Sequence, residues 1–177
     1  MAKIENVKAR KEYKCSKCGE TIQKGDSYFK GYPYMCKPII RCCKCGIYAW
    51  ELSSSDYIQS VGRLVDCWQD DYELGENTAQ EIADELSNIQ DECQDRLDNM
   101  PYGLQEGDTG QLLQERIDQL YDVISELESI DYESIREGEL GDIDYESTID
   151  ETKEEMDTRI ETDLVDAINE ALGQLDY

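Results

Sequence analysis

The sequence predicts a mainly α-helical chain, in which a small N-terminal ribbon tied at four cysteines precedes an acidic helical hairpin or coiled-coil bundle. Three observations predict it. Two C-x-x-C-G knuckles, Cys15-Ser16-Lys17-Cys18-Gly19 and Cys42-Cys43-Lys44-Cys45-Gly46, lie in the first 50 residues. Charge divides at the same place. Residues 1–50 carry 11 Lys and Arg against 4 Asp and Glu, a net of +7, whereas residues 51–177 carry 6 against 38, a net of −32. Beyond residue 50, apolar residues recur at steps of three and four, the period of helix faces rather than of strands.

Three segments follow from this. Residues 1–50 form a basic four-cysteine zinc ribbon, residues 51–130 a three-helix region containing an antiparallel hairpin, and residues 131–177 an acidic linker with a C-terminal helix. Hydrophobic residues make up 39% of the 177, below the roughly 45–50% of an ordinary globular domain, a figure that also counts Gly. This argues against a large compact core and for helices that need only apolar stripes. Met1-Ala2-Lys3-Ile4-Glu5 is not the start of an apolar signal region, and no apolar run approaches the roughly 20 residues of a membrane span. The expectation is a soluble, cytoplasmic protein with no membrane partner. In that reducing compartment paired C-x-x-C means metal more often than disulfide.

The two knuckles supply four soft thiolates, and Gly19 and Gly46 are free to take positive φ after each second cysteine. Four thiolates suit tetrahedral Zn²⁺, here held by Cys15, Cys18, Cys42 and Cys45, with no open position for catalysis. Cys36 and Cys43 are spare. Cys43 is an alternative to Cys42, and Cys36 an alternative to either; Cys42 is preferred because it completes the second C-x-x-C-G. Cys67 and Cys93 fall on helical stripes and read as small core hydrophobes. Between the knuckles, Lys24-Gly25-Asp26 reads as a turn, and Ser27–Lys30 and Ile39–Arg41 as short strands. The layout resembles treble-clef and zinc-ribbon modules and, more distantly, the poly(ADP-ribose) polymerase type of finger. The histidine ligand of that finger has no counterpart in a chain without histidine.

Cations and aromatics interleave in this head: Lys14, Lys17, Lys24, Lys30, Lys37, Arg41 and Lys44 with Tyr28, Phe29, Tyr32 and Tyr34. Lys24, Lys30, Lys37 and Arg41 are the candidate contacts to nucleic acid, which only residues 1–50 have the charge to bind. The plainer reading places the rings in a mini-core around the metal and the lysines in solvent. A third has the head dock on an acidic body, its own or that of a second copy. Nine lysines in the head of so acidic a chain make the acidity local rather than a proteome-wide adaptation to salt.

Ser53-Ser54-Ser55 is a cap cluster opening a helix over 55–72, with Tyr57, Ile58, Val61, Leu64, Val65, Trp68 and Tyr72 on one side. Gly75 ends or bends it. Thr78-Ala79-Gln80-Glu81 reads as a capping box before a helix over 78–98, striped by Ile82, Leu86, Ile89, Cys93 and Leu97. Pro101 stops that helix. Asp108 or Thr109 caps the next, over 110–130, whose Leu113, Ile117, Leu120, Ile124 and Leu127 form a heptad seam expected to face the previous stripe. Residues 131–147 read as looser. They contain an echo, Ile130-Asp131-Tyr132-Glu133-Ser134 and Ile143-Asp144-Tyr145-Glu146-Ser147, taken as two helix-entry turns. A last helix over 148–174 carries Ile149, Met156, Ile160, Leu164, Ile168 and Leu172, to pack on the hairpin or to make a homodimer.

The segment Leu97-Asp98-Asn99-Met100-Pro101-x-Gly103-Leu104-Gln105-x-Gly107-Asp108-Thr109-Gly110-x-Leu112-Leu113-Gln114-Glu115-Arg116 resembles one found in small proteins of tailed phages and related viruses. Those proteins pair an N-terminal four-cysteine head with helices. The resemblance spans about two thirds of the chain and implies a viral source, hence residence in a host cytoplasm, but no activity. The loop within it reads as a compact turn whose Met100 and Leu104 plug the end of the hairpin.

No histidine is present to act as general base, and a thiolate-saturated metal has no open position, so no enzyme is expected. The nearest enzymatic alternative, an acidic Mg²⁺-dependent nuclease, lacks a compact constellation of carboxylates. The acidity itself points to a function. Like charges one helical turn apart cost stability, and the body approaches the phosphate density of DNA. One reading is a DNA mimic, an anti-defence inhibitor whose acidic face (Asp84, Asp91, Asp95, Glu115, Asp122 and Glu126) engages a host protein with a basic surface. The other is a zinc-ribbon adaptor or transcription-type regulator, whose head binds nucleic acid or protein and whose body oligomerises.

Overall fold

The computed structural model describes residues 3–33, 36–140 and 150–177. Tyr34, the second half of the Ile-Asp-Tyr-Glu-Ser echo and the Ser147-Thr148-Ile149 start of the last helix lie outside the described residues. The chain forms two compact units, Met1–Arg63 with Tyr177, and Leu64–Asp176, dividing within the first long helix.

In the first unit the strands are β1 (Lys3–Lys8), β2 (Tyr13–Lys14), β3 (Thr21–Ile22), β4 (Ser27–Tyr32) and β5 (Ile39–Cys42). β1, β4 and β5 make an antiparallel sheet with β4 in the middle, and β2 and β3 pair separately. The two expected strands lie inside β4 and β5. β1 was not expected, because its Lys-Ile-Glu-Asn-Val-Lys run holds only two apolar residues. Its order comes from pairing Lys3 through Lys8 with Tyr32 through Ser27, and not from its own propensity. The expected Lys24-Gly25-Asp26 turn is present. Gly25 takes φ +100° and donates to the Ala9 carbonyl at 2.8 Å, while the Asp26 carboxylate accepts from the Gln23 amide at 2.9 Å. Ala9, Cys15, Ile22, Tyr28 and Cys42 form the small core.

The helices are α1 (Asp56–Asp71), α2 (Thr78–Asp98), α3 (Tyr102–Gln105), α4 (Asp108–Glu128), α5 (Tyr132–Leu140) and α6 (Asp150–Leu172). At the start of α1, Ser53 Oγ accepts from the Ser55 amide at 3.1 Å. In the second unit α2 and α4 pack along each other, joined through α3, and α6 packs on α4 and α5. Trp68 is buried and donates its Nε1 to Asn169 Oδ1 of α6 at 3.0 Å. Met156, Ile160, Leu164, Ile168 and Leu172 are all buried, as their spacing predicts.

Four local expectations are corrected. Thr78 makes no capping box: it is the first helical residue of α2, after Asn77. Its buried hydroxyl instead accepts from the Gly75 amide and donates to the Glu73 carbonyl, both at 2.9 Å, and so fastens the preceding turn. The α4 seam buries Val123 in place of Ile124, because a helix of 3.6 residues per turn drifts off a strict seven-residue repeat. On α2, Leu97 is only half-buried, and Ala83 joins Ile82, Leu86, Ile89 and Cys93 in the core. Leu104 does not plug the bundle end; it is 57% exposed. The side chain of Gln105 does the tying, donating Nε2 to the carbonyls of Leu97 at 3.0 Å and Met100 at 2.9 Å.

Residues 132–140, read as loose, are the helix α5. The Asp131 carboxylate accepts from the amides of Glu133 at 3.1 Å and Ser134 at 3.3 Å, capping the entry that the first half of the echo marked.

Candidate metal centre

The knuckles are brought together by the strands beside them. Cys15 and Cys18 sit in the turn between β2 and β3; Cys42 ends β5, and Cys45 follows in its own turn. Gly19 at φ +74° and Gly46 at φ +59° let each turn close, with the Gly19 amide donating to the Cys15 carbonyl at 3.0 Å and the Gly46 amide to the Cys42 carbonyl at 3.2 Å. The sulfurs of Cys15, Cys18, Cys42 and Cys45 all lie within 4.8 Å of one another. Cys18 Sγ and Cys42 Sγ are 3.7 Å apart. A tetrahedron with metal–sulfur arms of about 2.3 Å has edges of about 3.8 Å, so the set has the dimensions of a four-thiolate metal site.

The electrostatics suit a cation. Burial alone would push the Cys15 thiol up, but the backbone amides of Cys18, Cys42 and Lys17 outweigh it and bring Cys15 down to about 6. The Cys42 amide donates to Cys15 Sγ at 3.4 Å. Cys45 is pushed up to about 12, first by thiol hydrogen bonds with Cys42 and Cys18, then by burial and by Cys15. Four thiolates this close do not all ionise without a positive ion among them. The four cysteines could therefore hold a metal ion.

The spare cysteines stand apart from it. Cys43 is exposed, with its thiol on the Ser27 carbonyl at 2.9 Å, and Cys36 is exposed. Neither displaces Cys42. Cys93 is buried in the body, where burial raises its thiol, as for an inert core residue.

The candidate basic contacts scatter. Lys24 and Lys37 are exposed. Lys30 lies over the Tyr32 ring, 4.7 Å from its centroid. Arg41 is not an open contact: it is half-buried, and pairs with Glu51 at 2.8 Å while a second guanidinium nitrogen donates to Ser16 Oγ. Glu51 in turn accepts from the Tyr48 amide at 2.9 Å, so Arg41 braces the segment after the second knuckle. Sequence reasoning missed Lys8, Arg10 and Tyr13, which line a groove with Tyr28, Lys30 and Tyr32. Interleaving with aromatics further along the chain was a signal for Lys30, but no local pattern announced that Lys8 and Arg10, at and just beyond the end of β1, line the same groove.

Of the candidate acidic residues, Asp84, Asp91 and Asp95 lie exposed on α2, and Glu115 and Asp122 exposed on α4. Glu126 is half-buried and accepts from Gln174 Nε2. Among the described residues, no helix is long and apolar enough to cross a membrane.

Together these features define a protein with a head whose four clustered cysteines could hold a metal ion, and a helical, acidic body. No family model matches the chain, and neither a curated protein nor a solved structure compared with it is similar.

Proposed function

We propose that this is a zinc-stabilised, non-enzymatic binding protein of viral source, whose acidic helical body occupies the nucleic-acid-binding surface of a basic host protein. Zinc is the ion commonly held by four thiolates in a tetrahedral set of this size. With all four positions taken by cysteine, its work is structural, supporting a head too small to bury a sufficient core.

The density of carboxylates on two packed helices carries the reading. α2 and α4 are each 21 residues long, about 31 Å at 1.5 Å per residue. Between them they hold 13 Asp and Glu against Arg96 and Arg116. Twelve of the thirteen are exposed, Glu126 being the exception. Along the pair that is one carboxylate per about 2.4 Å, against one phosphate per about 1.7 Å in duplex DNA. A cationic surface evolved for phosphates would meet a comparable field here. The likeness of residues 97–116 to phage proteins supports a host protein as the target.

Affinity capture on the purified chain tests this. Basic nucleic-acid-binding proteins of the host should be retained at low salt, released by added duplex DNA, and lost steeply as salt rises. Replacing Asp84, Asp91, Asp95, Glu115, Asp122 and Glu126 by Lys should abolish capture while sparing the buried seams. Capture that survives both the charge reversal and the DNA competitor would overturn the reading. The adaptor reading, with the head as the contact, would then lead.

A further inference from the structure

We infer that the head carries a binding groove for single-stranded nucleic acid on the face of the sheet formed by β1 and β4. This goes beyond the reading of the acidic body and does not depend on it. The groove encloses about 580 Å³ and is lined by Lys8, Arg10, Tyr13, Tyr28, Lys30 and Tyr32. That volume falls within the roughly 300–1,000 Å³ of ligand-binding clefts.

The fold assembles this lining from three places in the chain. Antiparallel pairing sets Val7 opposite Tyr28, Glu5 opposite Lys30 and Lys3 opposite Tyr32, so Tyr28, Lys30 and Tyr32 project on one face in alternation. Tyr13 of β2 joins them, its ring centroid 5.2 Å from that of Tyr28 and tilted by 31°. Tyr28 is buried, and forms the floor; Tyr13 and Tyr32 are half-exposed. Lysines already lie on ring faces at the rim, Lys11 at 5.6 Å from the Tyr13 centroid and Lys30 at 4.7 Å from that of Tyr32. These faces are reachable and suited to stacking. Glu5, across from Lys30, is paired with Lys3 at 2.7 Å.

Chemistry selects the occupant. Three cations around a tyrosine floor match a strand that offers phosphates and bases in alternation, the combination by which single strands are bound without sequence preference. An acidic peptide would satisfy the cations and leave the rings unused. A duplex does not enter a concave groove between six-residue strands, having no element here that reaches into its own grooves.

Fluorescence anisotropy with a labelled oligothymidylate, titrated with the full-length, zinc-loaded protein at several salt concentrations, tests the groove. Binding should appear at low salt and weaken with a log–log slope of about −2, as expected for three phosphates on a single strand. Combined Lys8→Gln, Arg10→Gln and Lys30→Gln should lower affinity about 10-fold or more, and Tyr32→Ala several-fold. Lys24→Gln with Lys37→Gln should change it less than about 2-fold, since neither lines the groove. Should the triple variant misfold, Arg10→Gln alone, at an exposed position beyond β1, should still weaken binding with metal content unchanged. The inference is overturned if the oligothymidylate does not bind. It is equally overturned if groove and control variants lose affinity alike, or if polyglutamate or duplex DNA competes as well as the single strand.

Discussion

A Cβ added to Gly110 would overlap the carbonyl oxygen of Gln105, so the first turn of α4 rests directly on the backbone of α3. The same Gln105 reaches back with its side chain to the last carbonyls of α2. One residue thus spaces both long helices, and Gly110 is the contact that admits it.

Gly110→Ala should therefore destabilise the body by about 1–3 kcal/mol, the usual cost of overpacking a tight site, with a fall in Tm of several degrees for a chain of this size. Gly103→Ala is the control. Gly103 meets nothing within 4 Å and should tolerate the methyl. Thermal melts followed by circular dichroism compare the two, and equal Tm values would refute the contact.

Metal content should follow the four clustered thiols and no others. Cys15→Ser, Cys18→Ser or Cys45→Ser should abolish stoichiometric zinc in elemental analysis and disorder the head, because the ligands hold its two halves together. Cys36→Ser and Cys43→Ser should retain one zinc per chain. Loss of metal from the Cys43 variant would mean that the second knuckle uses Cys43.

Zinc affinity should fall as pH falls. Protons sit on the metal-free side of the equilibrium, so acid favours release. Above about pH 6 Cys15 is already a thiolate and adds nothing to the slope, whereas Cys45, held at about 12, must give up its proton throughout. Below about pH 6 Cys15 must also be deprotonated, and the slope should steepen. Competition with a chromophoric chelator from about pH 5 to about pH 8 measures this; a flat profile would contradict it.

Stability of the body should rise with salt. Thirteen carboxylates on two helices repel one another, and raising ionic strength from about 0.01 to 1 M shortens the screening length from about 30 to 3 Å. Tm followed by helical ellipticity should climb with sodium chloride. The Asp84, Asp91, Asp95, Glu115, Asp122 and Glu126 to Lys variant should respond less.

Thr78→Val should cost about 1–3 kcal/mol, by removing the acceptor for the Gly75 amide while keeping the buried volume. Thr78→Ser should keep most of the stability. If Val and Ser behaved alike in urea unfolding, the hydroxyl bonds would carry no weight.

What the sequence determined by itself is what neighbouring residues decide among themselves. The knuckles were legible because each places two thiols and a glycine within five residues. α2 was legible to its ends because Pro101 and a stripe of period 3.6 act locally. What only the tertiary structure decided depends on residues far apart in the chain. β1 exists because β4 pairs with it from further along the chain. Arg41 is a brace because Glu51 comes round to meet it. Trp68 finds a partner for its indole nitrogen only because Asn169, 101 residues further on, is brought beside it. The groove is the clearest case: pairing with β1 sets Tyr28, Lys30 and Tyr32 on one face, and Lys8, Arg10 and Tyr13 reach the same lining from other parts of the chain with no local pattern to announce them.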